Sequence, residues 1–125
     1  MLQDATATAP DVVKETTTQA FVKDVIEESR RQPVLVDFWA PWCGPCRMVS
    51  PLVERAGREH AGQLKVVKLN VDEAPEISDR YQVSGIPLLV LFRGGSEVDR
   101  LVGVVPQAKL REWLELHLAT AGDRA

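Results

Sequence analysis

Cys43 and Cys46 are the only two cysteines in a chain of 125 residues. They stand two residues apart in Trp39-Ala40-Pro41-Trp42-Cys43-Gly44-Pro45-Cys46, where an apolar run gives way to a helical pattern. At that spacing both sulfurs meet in the first turn of a helix, and the pattern points to a reversible disulfide. The free N–H groups of a helix start and the macrodipole favour negative charge there, so the leading thiol ionises more easily. The dipole contributes about 0.3–1 kcal/mol at exposed sites and up to about 2 kcal/mol in partly buried ones. At about 1.4 kcal/mol per pKa unit, a thiol starting at about 8.5 falls by about one unit. That leaves a substantial thiolate fraction near neutral pH.

Other readings of the pair are weaker. A structural zinc site wants about four ligands, and His60 and His117 lack the short spacing that would complete one. A purely structural disulfide would close a very short loop, restrain the unfolded chain little and leave the two neighbouring tryptophans unexplained. A cysteine protease needs a histidine as base, and nothing in the sequence points to one. Thiol–disulfide exchange is the favoured chemistry.

The elements that must position the pair belong to one domain. Hydrophobic residues make up 45% of the chain, enough for a core. A net charge of −3, with both signs interspersed, argues against nucleic acid or an acidic membrane surface as partner. No apolar run approaches the roughly 18 residues of a membrane span. Residues 1–10 carry Asp4 and no Lys or Arg, unlike a secretory signal. With Met1 as the native start the expected location is cytoplasmic, where a cysteine pair reads as catalytic.

Residues 1–11 are expected to form a flexible leader, 12–119 the domain and 120–125 a polar, frayed tail. A short edge strand is expected at 12–15. Threonines 16–18 offer an N-cap for a helix reaching about Ser29, with Phe21, Val22, Val25 and Ile26 buried. Val34 to Trp39 is apolar on both faces apart from Asp37, as in a central strand covered on both sides. From Pro45 to about His60, Met48, Val49, Leu52, Val53 and Ala56 recur at helical spacing. Pro51 should kink this helix and Gly62 end it. A second central strand spans 64–71 and a short helix 75–81. Strands at 88–92 and 98–102 make a hairpin around Gly94-Gly95. Pro106 opens a last helix to about Ala119, whose core stripe draws on Leu110, Trp113, Leu114, Leu116 and Leu118. The alternation implies an α/β architecture, a mixed sheet with helices on both faces and its site at the C-terminal end of a central strand.

Taken together, these residues resemble the thioredoxin family. The likeness rests on Val36-Asp37-Phe38-Trp39-Ala40, the Trp42 to Cys46 motif, Pro51 and Lys68-Leu69-Asn70-Val71-Asp72. It extends to Tyr81, Gly85-Ile86-Pro87, Phe92, Gly95 and Gly103, in the expected order from about residue 12 to 119. The resemblance implies a thioredoxin fold, with a central mixed β-sheet of four to five strands flanked by helices on both faces. It implies a protein-disulfide reductase with no bound cofactor, acting as a monomer on disulfide-containing client proteins. A flavin-dependent thioredoxin reductase drawing on NADPH would recharge it.

The same resemblance assigns roles. Cys43 becomes the exposed nucleophile and Cys46, more buried, the resolving thiol. Asp37 becomes a buried acid that handles the Cys46 proton, with Lys68 on the neighbouring strand as its electrostatic partner. Burial should raise the Asp37 pKa. The plain alternative is a structural Asp satisfied by a local partner. Pro87 is expected to be cis and to lie against the cysteines. Trp42, Gly44, Pro45, Val71, Gly85, Ile86, Pro87, Val102 and Gly103 match positions that surround the thiol and would form the client-docking surface. Trp39 is expected to pack beneath the active-site helix and Trp113 in the core, with His60 and His117 in solvent. The chain departs from the family pattern at Leu88, where Thr is usual, at Arg47, and in a longer segment around 29–32. Two other functions compete with a reductase: an oxidant or isomerase of the same fold, and a client-binding module whose cysteines are little used. The Gly-Pro dipeptide argues against the first, and intact Cys43, Cys46, Asp37 and Pro87 against the second.

Overall fold

The computed structural model describes residues 13–123, with side chains as far as residue 118. The expected leader, Val12 and residues 124–125 lie outside the described residues. Five strands form one mixed sheet: β1 (Val13–Glu15), β2 (Val34–Trp39), β3 (Lys65–Asn70), β4 (Leu88–Arg93) and β5 (Ser96–Val102), in the order β1-β3-β2-β4-β5. β1, β3 and β2 run parallel, while β4 and β5 are antiparallel to their neighbours.

The strand period of two sorts each strand's side chains onto opposite faces. Val34, Val36 and Phe38 of β2 join Phe21, Val25, Val67, Leu69, Ile77, Val90 and Phe92 in one core. Leu35 joins Val49, Val53, Leu64, Val66, Leu89, Leu91, Leu110 and Leu114 in the other. Asp37 is two residues from Leu35 and therefore on that second face. The face is covered by α2 (Gly44–Glu59) and α4 (Gln107–Asp123). The first face is covered by α1, a π-helical stretch at Val22–Glu27 running into a 3-10 turn at Glu28–Arg30, and by α3 (Pro75–Arg80). Burying each large apolar side chain contributes about 1.5–3 kcal/mol.

The first helix departs from expectation. Thr17 Oγ1 accepts from the Ala20 N–H at 3.1 Å, so the threonines do cap the turn. Beyond it the wider π turn changes which side chains face inward. Phe21 and Val25 are buried, but Val22 is 51% exposed and Asp24 takes an inward position. The Asp24 carboxylate accepts from Lys14 Nζ at 3.0 Å and Thr16 Oγ1 at 2.8 Å, which ties α1 to β1. At the far end of α1, Ser29 accepts from both hairpin glycines: its carbonyl from Gly94 N–H and its Oγ from Gly95 N–H. Gly94 and Gly95 both have positive φ, which the two-residue turn requires.

Several other expectations are corrected. Met48 and Leu116 share helical spacing with core residues yet are each 64% exposed. α4 runs to Asp123, past the end the sequence suggested. The histidines are half-buried rather than solvated. His60 Nδ1 lies 3.0 Å from the Ala56 carbonyl. His117 Nε2 lies 2.9 Å from Asp99 Oδ2, an oxygen that also accepts from the Trp113 indole N–H at 2.9 Å. One carboxylate on β5 thus holds two residues of α4.

The position of α2 depends on Gly57. A Cβ there would lie 2.8 Å from Val66 Cγ2, and Val66 is fully buried on β3 between two neighbouring strands. Replacing a helical glycine by alanine ordinarily gains about 1 kcal/mol, whereas overpacking costs about 1–3 kcal/mol. Gly57→Ala is expected to lower stability by about 1 kcal/mol net. Urea unfolding followed by circular dichroism measures it, and a gain in stability would contradict this packing account.

Candidate active site

α2 starts where β2 ends, and the cysteines occupy that start. Cys43 is the N-cap, with an extended backbone at φ −90° and ψ 101°, and its Sγ accepts from the Cys46 N–H at 3.2 Å. Pro45 in the first turn has no N–H to leave unpaired. Cys43 and Cys46 are joined as a disulfide with Cα atoms 5.3 Å apart. They form a small apolar cluster with Ala40, against which Trp39, Val71 and Ile86 pack.

That packing corrects the expectation of an exposed Cys43. In the disulfide form Cys43 is 3% exposed and Cys46 2%. What distinguishes the sulfurs is their surroundings. Beside Cys43 stands Trp42, 68% exposed, with its indole N–H donating to the Asp72 carboxylate at 3.0 and 3.2 Å. Cys46 lines a small pocket of about 150 Å³ together with Trp39, Ser50 and Lys68.

Asp37 lies beneath, with no exposed surface. Ser50 Oγ donates to its Oδ2 at 2.9 Å, while Oδ1 has no hydrogen-bond partner among the described residues. Burial pushes the Asp37 pKa up from 3.8 to about 6, against the Ser50 hydrogen bond and the nearby Lys68 charge, which pull it down. Lys68 is opposite Asp37 in the β2–β3 register, yet its Nζ bonds Glu54 at 3.1 Å and stands 5.3 Å from the centre of the Trp39 ring. Lys68 therefore acts on Asp37 through space, because α2 brings Glu54 alongside it. Glu15 at the end of β1 faces the same group. Its own pKa is raised by burial and opposed by Lys68.

Of the expected docking residues, Trp42, Val71, Gly85 and Ile86 line one open groove of about 440 Å³. Ser78, Val83 and Ser84 complete it from the α3 side and were not anticipated. Ile86-Pro87 is a cis peptide, and the Pro87 carbonyl accepts from the Gly103 N–H at 2.9 Å. Gly103 thereby sits next to the proline loop, and Val102 is 70% exposed at the end of β5. Gly44 and Pro45 lie exposed in the first turn of α2. The groove therefore gathers four of the expected residues and leaves the others around it.

Sequence reasoning also missed Ser50, Glu54 and Asp72. A signal existed for the first two: Cys46, Ser50 and Glu54 follow one another at intervals of four, on one helix face. Asp72 stood in the segment that carries the family resemblance, but nothing local marked its contact with Trp42, which it reaches across 30 residues of chain.

A redox-active cysteine pair at a helix N-terminus, seated on a mixed sheet beside a buried carboxyl and a cis-proline loop, defines a thiol–disulfide oxidoreductase. The chain belongs to the thioredoxin family, whose pattern it matches over residues 12–116. It is 48% identical to thioredoxin 1 of Nostoc sp., over 82% of this chain and 94% of that protein. It is 50% identical to the thioredoxin of Synechocystis sp., over 79% of this chain and 91% of that one. A chloroplastic M-type thioredoxin of Pisum sativum is 46% identical over 69% of this chain and 50% of its own length. The protein is a protein-disulfide reductase, with disulfide-containing proteins as clients and a reductase as its electron source. No helix among the described residues is long and apolar enough to cross a membrane.

The Asp37 environment sets a pH dependence. Its folded pKa, about 6, lies above the value of 3.8 it has when unperturbed. A raised carboxyl pKa favours the native state while the group is protonated, below the unfolded value, and that advantage is lost as pH rises through the folded pKa. Asp37→Ala removes the penalty at the cost of a small void. It is expected to be more stable than the parent by roughly 1–2 kcal/mol above neutrality, with the gain gone in the acid range below the unfolded pKa. Urea unfolding at a series of pH values measures this. A variant less stable than the parent at pH 7 would overturn the buried-acid assignment.

Proposed function

We propose that Cys43 is the nucleophile and Cys46 the resolving thiol, with Asp37 taking the Cys46 proton. The observation that carries this reading is the contrast around the two sulfurs. Cys43 caps α2 beside the open groove and Trp42, while Cys46 lies one turn in, on the pocket shared with Ser50 and Lys68. The Cys43 thiolate attacks one sulfur of a client disulfide, and the other leaves with the electron pair as a thiolate. Cys46 then gives its proton to Asp37 and attacks the Cys43 sulfur. The bond between Cys43 and the client breaks, and the client's second thiolate departs and takes up a proton. Two electrons pass to the client, and the chain is left with the Cys43–Cys46 disulfide.

Clients are extended polypeptide segments laid along the groove, with the backbone near Ile86 as the pairing edge. The apolar lining from Trp42, Val71 and Ile86, with little charge, suits many unrelated sequences. An NADPH-dependent thioredoxin reductase returns the electrons. Both cysteines of the chain serve the redox pair, the usage expected in a reducing compartment such as the cytoplasm. The groove is complete within one chain, in keeping with a monomer.

Cys46→Ser, mixed with a disulfide-containing protein, is expected to accumulate a mixed disulfide through Cys43, visible by mass spectrometry and reversed by dithiothreitol. Cys43→Ser should form none. Trapping through position 46 instead would reverse the two roles, and trapping by neither variant would favour a client-binding module. Equilibration of the parent with glutathione buffers should give a reduction potential below that of the glutathione pool. A potential above it would place the protein among oxidants or isomerases.

A further inference from the structure

Ser50 takes no part in the exchange itself, yet it is the one hydrogen-bond donor to the Asp37 carboxyl among the described residues. It lies one turn beyond Cys46 on the same face of α2, and the two line the same pocket. Its hydroxyl is half-buried and 2.9 Å from Oδ2 of a carboxyl with no exposed surface. We propose that Ser50 is a positioning residue for the resolving step: its hydroxyl holds Oδ2 of Asp37 and leaves Oδ1 to receive the proton of Cys46. The proposal rests on the reading of Asp37 as the acceptor of that proton.

The surrounding charges make the hydroxyl decisive. The groups acting on Asp37 are Ser50 and Glu54 from α2, Lys68 from β3 and Glu15 from β1, and Cys46, one turn before Ser50, lines the pocket that Ser50 shares. From β4 the paired residue is Leu89, which carries no charge. The single cation is bonded to Glu54, so it reaches Asp37 only at a distance. Of the two influences that hold the carboxyl pKa down, the Ser50 hydrogen bond is the larger and Lys68 the smaller. Without the hydroxyl, a carboxylate at this position would have no direct donor, and the acid would keep its proton to higher pH. A protonated Asp37 cannot accept from Cys46, so resolution would slow at any pH where the parent carboxyl is ionised and the variant's is not. The step is otherwise unchanged: the proton goes from Cys46 Sγ to Oδ1, the Cys46 thiolate attacks Cys43 Sγ, and the client thiolate leaves with its electron pair.

Stopped-flow reaction of the reduced protein with dithiobis(nitrobenzoate) separates the steps. One thionitrobenzoate is released when Cys43 attacks and a second when Cys46 resolves the mixed disulfide. Over a pH series, Ser50→Ala should shift the acid limb of the second phase upward by about one pH unit, about a tenfold slowing below both limbs. The first phase should not move. Ser50→Thr, which keeps the hydroxyl, should restore the parent profile. Asp37→Asn should abolish the limb. If Asp37→Asn abolishes it while Ser50→Ala matches the parent, the Ser50 proposal fails and the Asp37 reading stands. A limb that survives in Asp37→Asn overturns the Asp37 reading and this proposal with it. Slowing by the same factor at every pH, or no rescue by threonine, would make Ser50 a packing residue only and also overturn the proposal.

Discussion

A carboxyl without exposed surface sits in the central strand of this protein, directly beneath the helix that carries the cysteines. Ionising it there is costly, because the low-dielectric core replaces its hydration with a single hydroxyl donor and a distant lysine. The rest of the site is arranged around that cost. α2 must lie close enough for Ser50 to reach Oδ2, and the same approach brings Cys46 to the pocket at its N-terminal end. A group whose pKa lies near physiological pH can both take and return a proton, which a fully solvated aspartate does poorly. Stability is given up at this point to keep a carboxyl in the core beneath α2.

Close approach of α2 is a property of the helix as a whole. Gly57 permits contact with Val66 near its C-terminal end, and Val49, Val53 and Ala56 seat the middle on the second core. With those contacts made, the N-terminus of α2 has little freedom, and Cys43 falls at the cap with its sulfur toward the Cys46 N–H. The opposite wall is built by the loop before β4. Ile86 and Val71 pack on the cysteine cluster, and the Gly103 N–H bond to Pro87 secures that loop to the end of β5. Packing far from the sulfurs thereby fixes the geometry at them.

Much of this was legible in the chain. β2 and β4 are apolar along nearly their whole length and β3 carries Val66, Val67 and Leu69 between polar residues, which is the pattern of β-branched and apolar strands covered by helices. The Cys43 to Cys46 spacing, with Pro45 between, specified a helix start. Where the reading went astray, a local rule met a tertiary contact. Val22 and Leu116 obey helical spacing, but the wider turn of α1 brings Asp24 inward in place of Val22, and the covered stripe of α4 leaves Leu116 outside. His117 resembled a surface residue until Asp99, distant in sequence, supplied its partner. Cys43 was expected in the open because a nucleophile must be reached, whereas in the disulfide form its neighbours cover it.

The sequence by itself determined the kind of chemistry, the order of elements and the strand on which the acid sits, because these follow from residue type, spacing and periodicity along the chain. Only the tertiary structure decided which group each polar side chain meets. Ser50 rather than Lys68 bonds Asp37, Lys68 turns to Glu54, and Trp42 is held by Asp72. Such pairings depend on distances of about 3 Å between atoms many residues apart. A helix shifted by a fraction of a turn would change them all without altering the hydrophobic pattern that makes the fold.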